Sequence, residues 1–590
     1  MGAVLGVERS VCGRLWRERL EDWSLAAALA QNHGLPEIVA RVLAARGVTA
    51  ELVQTFLKPT LRALLPDPSR LTDMDLAAAR LARAIEAGES VAVFGDYDVD
   101  GATSAALLHR FFKAAGRPLR LYIPDRMKEG YGPNAPALRR LKSEGVSLVV
   151  TVDCGITAYG PLADAAEIGL EVIVVDHHVA EPELPRAVAV VNPNRLDESG
   201  ALRQLAAVGV TFLLLVAVNR ALRRAGWWSA SRPEPELLDY LDLVALGTIC
   251  DVVPLTGLNR ALVTQGLKVL SKRGSVGLAA LADAARLKER PGAYHCGFLL
   301  GPRVNAGGRV GDADLGVRLL TAEDPVEAAG LAQRLDRLNE ERRAIEAAML
   351  EEAIAIVEAE AEPDAKLAFV AREGWHAGVI GIVASRLKER YNRPALVAAI
   401  GEEGLAKGSG RSVPGIDLGS AILAARQSGL LVNGGGHVMA AGFTARAEDL
   451  AKLKSFLAER MARQIAEGGL VPTLAIDGVL QPGGATVELT QLLEQVGPFG
   501  SGNAEPRFVL PAVRVAKADP VGENHVRCIL MGSDGARLKG IAFRSAGTPL
   551  GQALIQARGA AIHLAGHLRA DSWQGREETQ LLIEDAAPAF

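Results

Sequence analysis

The chain has 590 residues, 49% of them hydrophobic and 23% charged, which excludes a single ordinary core and fits a soluble globular protein of several domains. Its formal net charge of −4 excludes bulk attraction to nucleic acid, so any such surface must be a local basic groove with acidic charge placed elsewhere. Five scattered cysteines (Cys12, Cys154, Cys250, Cys296 and Cys528) with no CxxC pair suit a reducing cytoplasm and weigh against zinc-ribbon chemistry.

The N-terminus, MGAVLGVERSVCGRLW, lacks the apolar core and the cleavage site of a signal peptide. The most apolar stretch, Leu205–Val218, falls short of the about 20 residues that span a bilayer. Residues 1–75 read as helical and as an extension packed on the domain next in sequence. From Leu76 to about Ala285, apolar runs alternate with Ala- and Leu-rich helical segments, the pattern of a doubly wound sheet. The organising stretch is Val91–Gly101, VAVFGDYDVDG. Its unbroken apolar start suits a buried parallel strand, and Asp96, Asp98 and Asp100 follow at alternate positions. On an extended backbone these project to one side, and three close anions repel strongly enough that a bound cation would explain their coexistence. The alternative is a solvated acidic loop whose first Asp caps the next helix.

The arrangement recurs. Leu148–Val152 ends at Asp153, Glu171–Val175 ends at Asp176-His177-His178, and GTICDVVPL carries Asp251 between apolar flanks. Ligands of an open parallel sheet bind outside the carboxyl ends of its strands. Strands that each deliver an acid or imidazole to that edge build one site from distant segments. Such carboxylates suit magnesium or manganese, and the added imidazole tilts the preference toward manganese.

Further on, Asp324–Glu362 is polar, Ala-rich and free of internal proline. With Arg337 and Glu341, and Arg342 and Glu346, standing four apart, it reads as a long connecting helix whose charge run is a solvated face. A second α/β unit spans about 365–465, with strands at Lys366–Val370 and Leu396–Ile400 and a helix at Val379–Tyr391. The triple glycine of Asn433–His437 reads alone as a loop. Taken with Ser409, Arg411 and Ser412 it reads as an anion site, since glycines ahead of a helix let backbone N–H groups approach a phosphate. The tail, about 470–590, holds short β-rich runs between Gly, Pro and polar turns, which point to a small barrel.

In order, GDYDVDG, VDCG, DHH and CDVVP resemble the four motifs of the DHH phosphoesterases. GPRVNAGGR (301–309), GWHAGVIGIVASRL (374–387), SGRS (409–412), GGGHVMAAG (434–442) and PFGSGNAEPRF (498–508) narrow the resemblance to one branch, the bacterial RecJ family of single-strand-specific exonucleases. It runs from about residue 20 to the C-terminus and implies a multidomain α/β protein: a helical N-terminal extension (1–75), a doubly wound parallel-sheet DHH domain (76–320), a long connecting helix (321–362), a smaller α/β DHHA1 domain (363–465) and a C-terminal β-barrel of OB-fold type (466–590). With few aromatics in that barrel, backbone contacts from Arg507, Arg514, Arg527, Arg537 and Lys539 would carry more of its binding.

The activity implied is 5′-to-3′ hydrolysis of single-stranded DNA by two divalent ions, Mn2+ preferred over Mg2+, in DNA repair and recombination. The implied ligands are Asp98, Asp100, Asp153 as the bridge, His177 and Asp251. Asp96 and Asp176 would orient them, and His178 would face the scissile phosphate. Phosphate binding is implied for Arg303, Asn305, Arg309, His376, Ser409, Arg411, Ser412, Gly435, Gly436 and His437. The implied partner is single-stranded DNA, with a single-strand-binding protein and a helicase as candidates. A cytoplasmic monomer without membrane contact is expected. The chain has neither GxxxxGK[ST] nor GxSxG, which weighs against a motor, a kinase or a serine hydrolase. Two other readings are an inactive DHH-fold nucleic-acid-binding scaffold and a phosphodiesterase of short oligonucleotides or cyclic dinucleotides. The intact acidic and histidine set weighs against the first, and the barrel and total length against the second.

Overall fold

The structure is a computed structural model that describes residues 2–125, 128–360, 365–468, 470–557, 559–573 and 576–589. The chain divides into two units, one of Pro68–Asp251 and Val269–Leu470, the other of Met1–Asp67, Val252–Lys268 and Val471–Phe590.

In the first unit, β1 (Val91–Gly95), β2 (Arg120–Tyr122), β3 (Leu148–Val152), β4 (Glu171–Val175) and β5 (Ala189–Val191) form a wholly parallel sheet of order β2-β1-β3-β4-β5. β1 and β3 are buried along their whole length, which is why they read as continuous apolar runs. The order reverses between β1 and β3, so the switch point of the sheet lies at their carboxyl ends. Helix α1 (Val99–Ala114) leaves β1 and packs against α2 (Ala207–Arg224) and α3 (Leu241–Cys250). A π-helical turn, Cys296–Leu300, leads into α4 (Gly301–Val310).

Helix α5 (Pro325–Ala359) is capped by Asp324, which accepts the Glu327 N–H at 2.7 Å. Its charge run is not a simple solvated face. Glu346, Glu352 and Glu358 pair with Arg386, Arg372 and Arg390 of the second domain, and spacing along one helix gives no sign of such partners. Residues 361–364, where the expected linker meets that domain, lie outside the described residues.

The second domain holds β6 (Ala368–Glu373), α6 (Ile380–Tyr391), β7 (Ala395–Ile400), β8 (Leu405–Arg411), α7 (Leu418–Gln427), β9 (Asn433–His437) and β10 (Ala440–Arg446), with sheet order β9-β10-β8-β7-β6. The triple glycine is therefore an edge strand paired antiparallel with β10, not a loop ahead of a helix. Gly436 suits that pairing because a Cβ there would lie 2.4 Å from the Ala440 oxygen.

The second unit contains β11 (Thr473–Ile476), β12 (Gly478–Val479), β13 (Phe508–Val521), β14 (His525–Met531), β15 (Arg537–Ala542), β16 (Ala561–Trp573) and β17 (Arg576–Pro588). Strands β13-β14-β15-β17-β16 close into a barrel through pairing of β16 with β13. The N-terminal residues join this unit rather than the domain next in sequence. A strand at Leu15–Glu18, within the stretch expected to be helical, pairs parallel with β11. Leu29, Val39 and Leu43 share a core with Val496, Phe508 and Leu510. Arg507 is also committed internally, donating to Glu584 at 2.6 Å and to the Ala475 carbonyl at 3.0 Å. No helix among the described residues is long and apolar enough to cross a membrane.

Candidate metal centre

The carboxyl edge of β1, β3 and β4 gathers the acidic and imidazole residues marked by the sequence. Asp98 is the extended cap of α1, its Oδ1 accepting the N–H groups of Asp100 (2.9 Å) and Gly101 (3.1 Å). The turn requires glycine at 101, where a Cβ would meet the Asp96 oxygen at 2.4 Å. Asp100, buried on the first turn of α1, accepts the N–H groups of Ala207 (2.7 Å) and Val208 (2.8 Å) at the start of α2. Asp153 follows β3 in the left-handed region (φ 59°), which aspartate tolerates better than most residues. Asp251 follows the last turn of α3.

His177 stands at the centre. Its Nδ1 lies 3.1 Å from the Leu205 carbonyl, which can only accept. A neutral ring therefore turns the lone pair of Nε2 toward Asp153 Oδ1 (3.3 Å), Asp251 Oδ2 (3.6 Å) and Asp100 Oδ2 (3.8 Å). Nε2 of His177 and Oδ2 of Asp251 are both buried and have no hydrogen-bond partner among the described residues. A lone pair facing carboxylates in a buried site is repulsive unless a cation lies among them. Three sets of ligand atoms fall within 4.8 Å of one another: Asp96, Asp98 and Asp153; Asp100, His177 and Asp251; Asp153, His177 and His178. Asp96, expected outside the ligands, thus stands among the groups that could hold an ion.

Asp176 is fully buried and accepts four donors. His177 N–H (2.7 Å), His178 N–H (3.1 Å) and His178 Nδ1 (2.8 Å) meet one oxygen, and Ile156 N–H (3.0 Å) meets the other. It fixes the His178 imidazole and the backbone of both histidines, while the Leu205 carbonyl orients the His177 ring. Burial opposes its ionisation, but the His178 hydrogen bond and charge outweigh that and hold the carboxyl down at about 2. Burial pushes His177 down to about 4, aided by the charge of His178. Burial also lowers His178, but the bond to Asp176 overrides it and holds the ring above its ordinary value. Burial, then the Asp98 charge, raises Asp100 to about 7. Burial, then Asp100 and Asp98, raises Asp251 to about 9, and Asp153 is pushed well up by burial and its acidic neighbours. Carboxyls this reluctant to ionise together are what an acidic cluster shows without its counter-cation.

Sequence reasoning missed Tyr131, whose hydroxyl donates to the Asp153 carbonyl (2.9 Å) and lies 3.5 Å from His178 Nδ1. Its one local signal is a tyrosine set between two glycines (Gly130 and Gly132). Asn305 supports the turn that carries the acids: its Oδ1 accepts the Val99 N–H at 3.1 Å, between Asp98 and Asp100. Arg303 is neutralised by Asp336 at 2.8 Å.

Other expected phosphate-binding groups do converge. Arg309 donates to the Gly378 carbonyl (2.9 Å), and Arg411 donates to Ser409 Oγ (2.9 Å) and the Gly410 carbonyl (2.8 Å). Neither guanidinium pairs with an acid among the described residues. Burial, and then the charge of Arg309, lowers Arg411, so the two cations lie near enough to repel. His376 accepts the Gly378 N–H at 3.1 Å. Ser412 is a correction: it is buried and donates to the Ile416 carbonyl at 2.8 Å, which turns its hydroxyl into the domain core. Gly435 and Ser409 both align with Gly442, two strand spacings apart, about 10 Å. Gly436 and His437 continue along exposed β9.

A doubly wound parallel sheet with acids and histidines at its switch point, joined by a long helix to a smaller mixed sheet, defines a protein of the DHH class. The family models agree: that of the DHH family, N-terminal domain, matches residues 90–248, that of the DHHA1 domain matches 364–463, and that of the RecJ OB domain matches 476–585. Over 581 residues the chain is 37% identical to the single-stranded-DNA-specific exonuclease RecJ of Bacillus subtilis (strain 168), covering 97% of this chain and 70% of that protein. The crystal structure of RecJ from Thermus thermophilus in complex with Mn2+ matches at a TM-score of 0.79 and 32% identity, over 96% of this chain and 78% of that one. The complex with Mg2+ matches at 0.73 and 31%, over 96% and 77%. The chain belongs to the RecJ family.

Proposed function

We propose that this protein is a divalent-metal-dependent exonuclease that degrades single-stranded DNA from the 5′ end, in the cytoplasm, during DNA repair and recombination. The observation that carries the reading is the buried, unpartnered His177 Nε2 set against Asp100, Asp153 and Asp251 at the switch point of the sheet. Asp98, Asp100, Asp153, His177 and Asp251 would hold two ions, with Asp153 shared, and Asp96 stands close enough to join them. When bound, the ions would neutralise the phosphate and activate water. The RecJ structures from Thermus thermophilus are complexes with Mn2+ and Mg2+, and an imidazole among carboxylates favours manganese.

The chain's own groups do the rest. Asp176 keeps a proton on Nδ1 of His178, leaving Nε2 of this partly exposed ring to donate to the scissile phosphate. Arg309, Arg411 and Ser409 receive a terminal 5′ phosphate, which carries more charge than an internal one and meets two guanidiniums that have no acid partner among the described residues. The barrel tracks the strand with Arg514, Arg527 and Arg537. The enzyme acts as a monomer, and a helicase or single-strand-binding protein supplies or presents the strand.

The test is digestion of 5′- and 3′-end-labelled oligonucleotides, single-stranded and blunt duplex, with and without Mn2+. Manganese-dependent loss of single strands from the 5′ end is expected. Binding without cleavage would favour the inactive scaffold, and cleavage confined to dinucleotides would favour the short-substrate phosphodiesterase.

A further inference from the structure

Just ahead of α4 in the chain stands a feature that catalysis does not use. Tyr294 and Phe298 are 55% and 69% exposed, and their rings stack with centroids 5.1 Å apart at 25°. Four apart on a helical turn that runs into the π-helical Cys296–Leu300, they share one face. Together they present a flat apolar surface to water.

The segment is held firmly. His295 Nδ1 accepts the Gly292 N–H at 2.9 Å, and its Nε2 lies 3.1 Å from Glu289. Cys250, the residue before Asp251, donates its thiol to the Cys296 carbonyl at 3.4 Å. A Cβ on Gly301 would meet Cys250 Sγ at 2.4 Å, so the segment lies directly on the end of α3. Seven residues beyond Phe298, Asn305 holds the Val99 N–H between Asp98 and Asp100. Helical rise puts Phe298 roughly 10 Å and Tyr294 roughly 16 Å along the helix axis from that contact.

Bordering the same segment at Pro291 and Leu300 is a pocket of about 260 Å3, lined also by Arg273, Leu287, Lys288, Arg290 and Glu289, the last of which pairs with His295. Arg273 is paired with Asp283. Lys288 and Arg290 are exposed and pair with no acid among the described residues. A flat aromatic face beside unpaired cations matches unstacked bases on a phosphate backbone, because every base has a π-face. An apolar protein partner would leave those cations without a role.

We propose that Tyr294 and Phe298 are a stacking platform for a base of the substrate strand, with Lys288 and Arg290 holding the adjoining phosphates. They are positioning residues, and the assignment rests on the single-strand reading above. The test is fluorescence anisotropy of a labelled oligothymidylate in EDTA, beside the same strand carrying abasic residues. Tyr294→Ala/Phe298→Ala should bind the thymidylate roughly tenfold more weakly and the abasic strand within about twofold of wild type. With manganese the loss should fall on KM rather than kcat, and Phe298→Trp should retain wild-type affinity. Lys288→Ala/Arg290→Ala should weaken both strands alike and reduce the salt slope by about 1.4. If the aromatic double variant proves unstable, Phe298→Ala alone serves, since that ring is largely outside the core. Wild-type affinity of the aromatic variant for thymidylate, or equal loss on both strands, would overturn the platform. A wild-type protein that binds in EDTA yet never cuts would instead fail the nuclease reading and leave the platform standing.

Discussion

Replacing Asp153 tests the proposed metal centre most cleanly as Asp153→Asn. The residue lies at φ 59°, a conformation that costs alanine about 1 kcal/mol but that asparagine accepts, so the asparagine variant removes charge with little strain. Loss of a shared ligand should lower turnover by at least 10³-fold, about 4 kcal/mol of barrier. Binding of Mn2+ at a hundred times its Kd stabilises the folded state by about 2.7 kcal/mol. The unit that holds the site has roughly 390 residues and unfolds with about 0.8 kcal/mol/K of entropy, so wild-type Tm should rise by roughly 3 °C with manganese. The variant should show little of that rise. Without metal the sign reverses. Burial and repulsion hold Asp153 and Asp251 above their ordinary values, so the folded state binds the extra protons. That penalty is absent below the unfolded value near 4 and grows as pH rises toward the folded one. Metal-free Asp153→Asn should therefore melt higher than wild type at pH 7.5 and level with it near pH 4. Scanning calorimetry with and without Mn2+, beside a turnover assay, reads all three quantities. A variant that keeps both the full manganese shift and more than a tenth of wild-type turnover would refute the reasoning.

Three further outcomes are expected. Blunt duplex, wider and stiffer than a single strand, should be digested at least tenfold more slowly until a tail is exposed, and equal rates would contradict a narrow groove between the two domains joined by α5. Arg411→Ala should weaken binding of 5′-phosphorylated ends by roughly 10- to 100-fold and of 5′-hydroxyl ends by under about threefold; equal losses in anisotropy titrations would remove the end-binding assignment. In the barrel unit, His567 is buried and its ring nitrogens meet the Pro506 carbonyl (2.8 Å) and Glu584 (3.1 Å). Burial opposes both charges, but the His567–Glu584 pairing raises the imidazole and, with Arg507, lowers Glu584 to about 2. The raised histidine gives stability that is full below 6.5 and lost as pH climbs through its folded value, while the lowered glutamate gives stability present above 4.5 and lost toward 2. Melting of this unit should thus be highest near pH 5–6 and fall by roughly 3–5 °C at alkaline pH, the equivalent of about 1.5 kcal/mol. His567→Gln should flatten that decline, and an unchanged slope would show that the pair contributes nothing.

The parts of the fold legible in the sequence were those fixed by local pattern. Continuous apolar runs ending in acids placed β1, β3 and β4 and the site at their carboxyl edge, because strand burial and strand-end chemistry are written in consecutive residues. What depended on distant partners was not legible. The first 67 residues complete the C-terminal barrel unit through Leu15–Glu18 and β11, a pairing between segments more than 450 positions apart. The acids of α5 looked solvated because their arginines lie in another domain. Asn433–His437 looked like a loop because glycine carries no strand periodicity, yet its backbone pairs with β10. Arg303, Asn305 and Ser412 sit in motifs rich in phosphate-binding residue types, and only the folded chain shows them bonded to Asp336, to the Val99 amide and to the Ile416 carbonyl. Tyr131, hydrogen-bonded to the backbone of Asp153, lay in a short glycine-flanked turn 22 positions before that partner, which local pattern does not reveal.

The cluster around His177 has the donor set of a divalent metal centre. Anomalous diffraction from crystals of this protein soaked in manganese tests it without reference to any substrate. Two peaks about 3.5–4 Å apart, both touching Asp153 and one within bonding distance of His177 Nε2, are the predicted result. Absence of manganese from that edge of the sheet at saturating concentration, with ions bound elsewhere, would contradict the account.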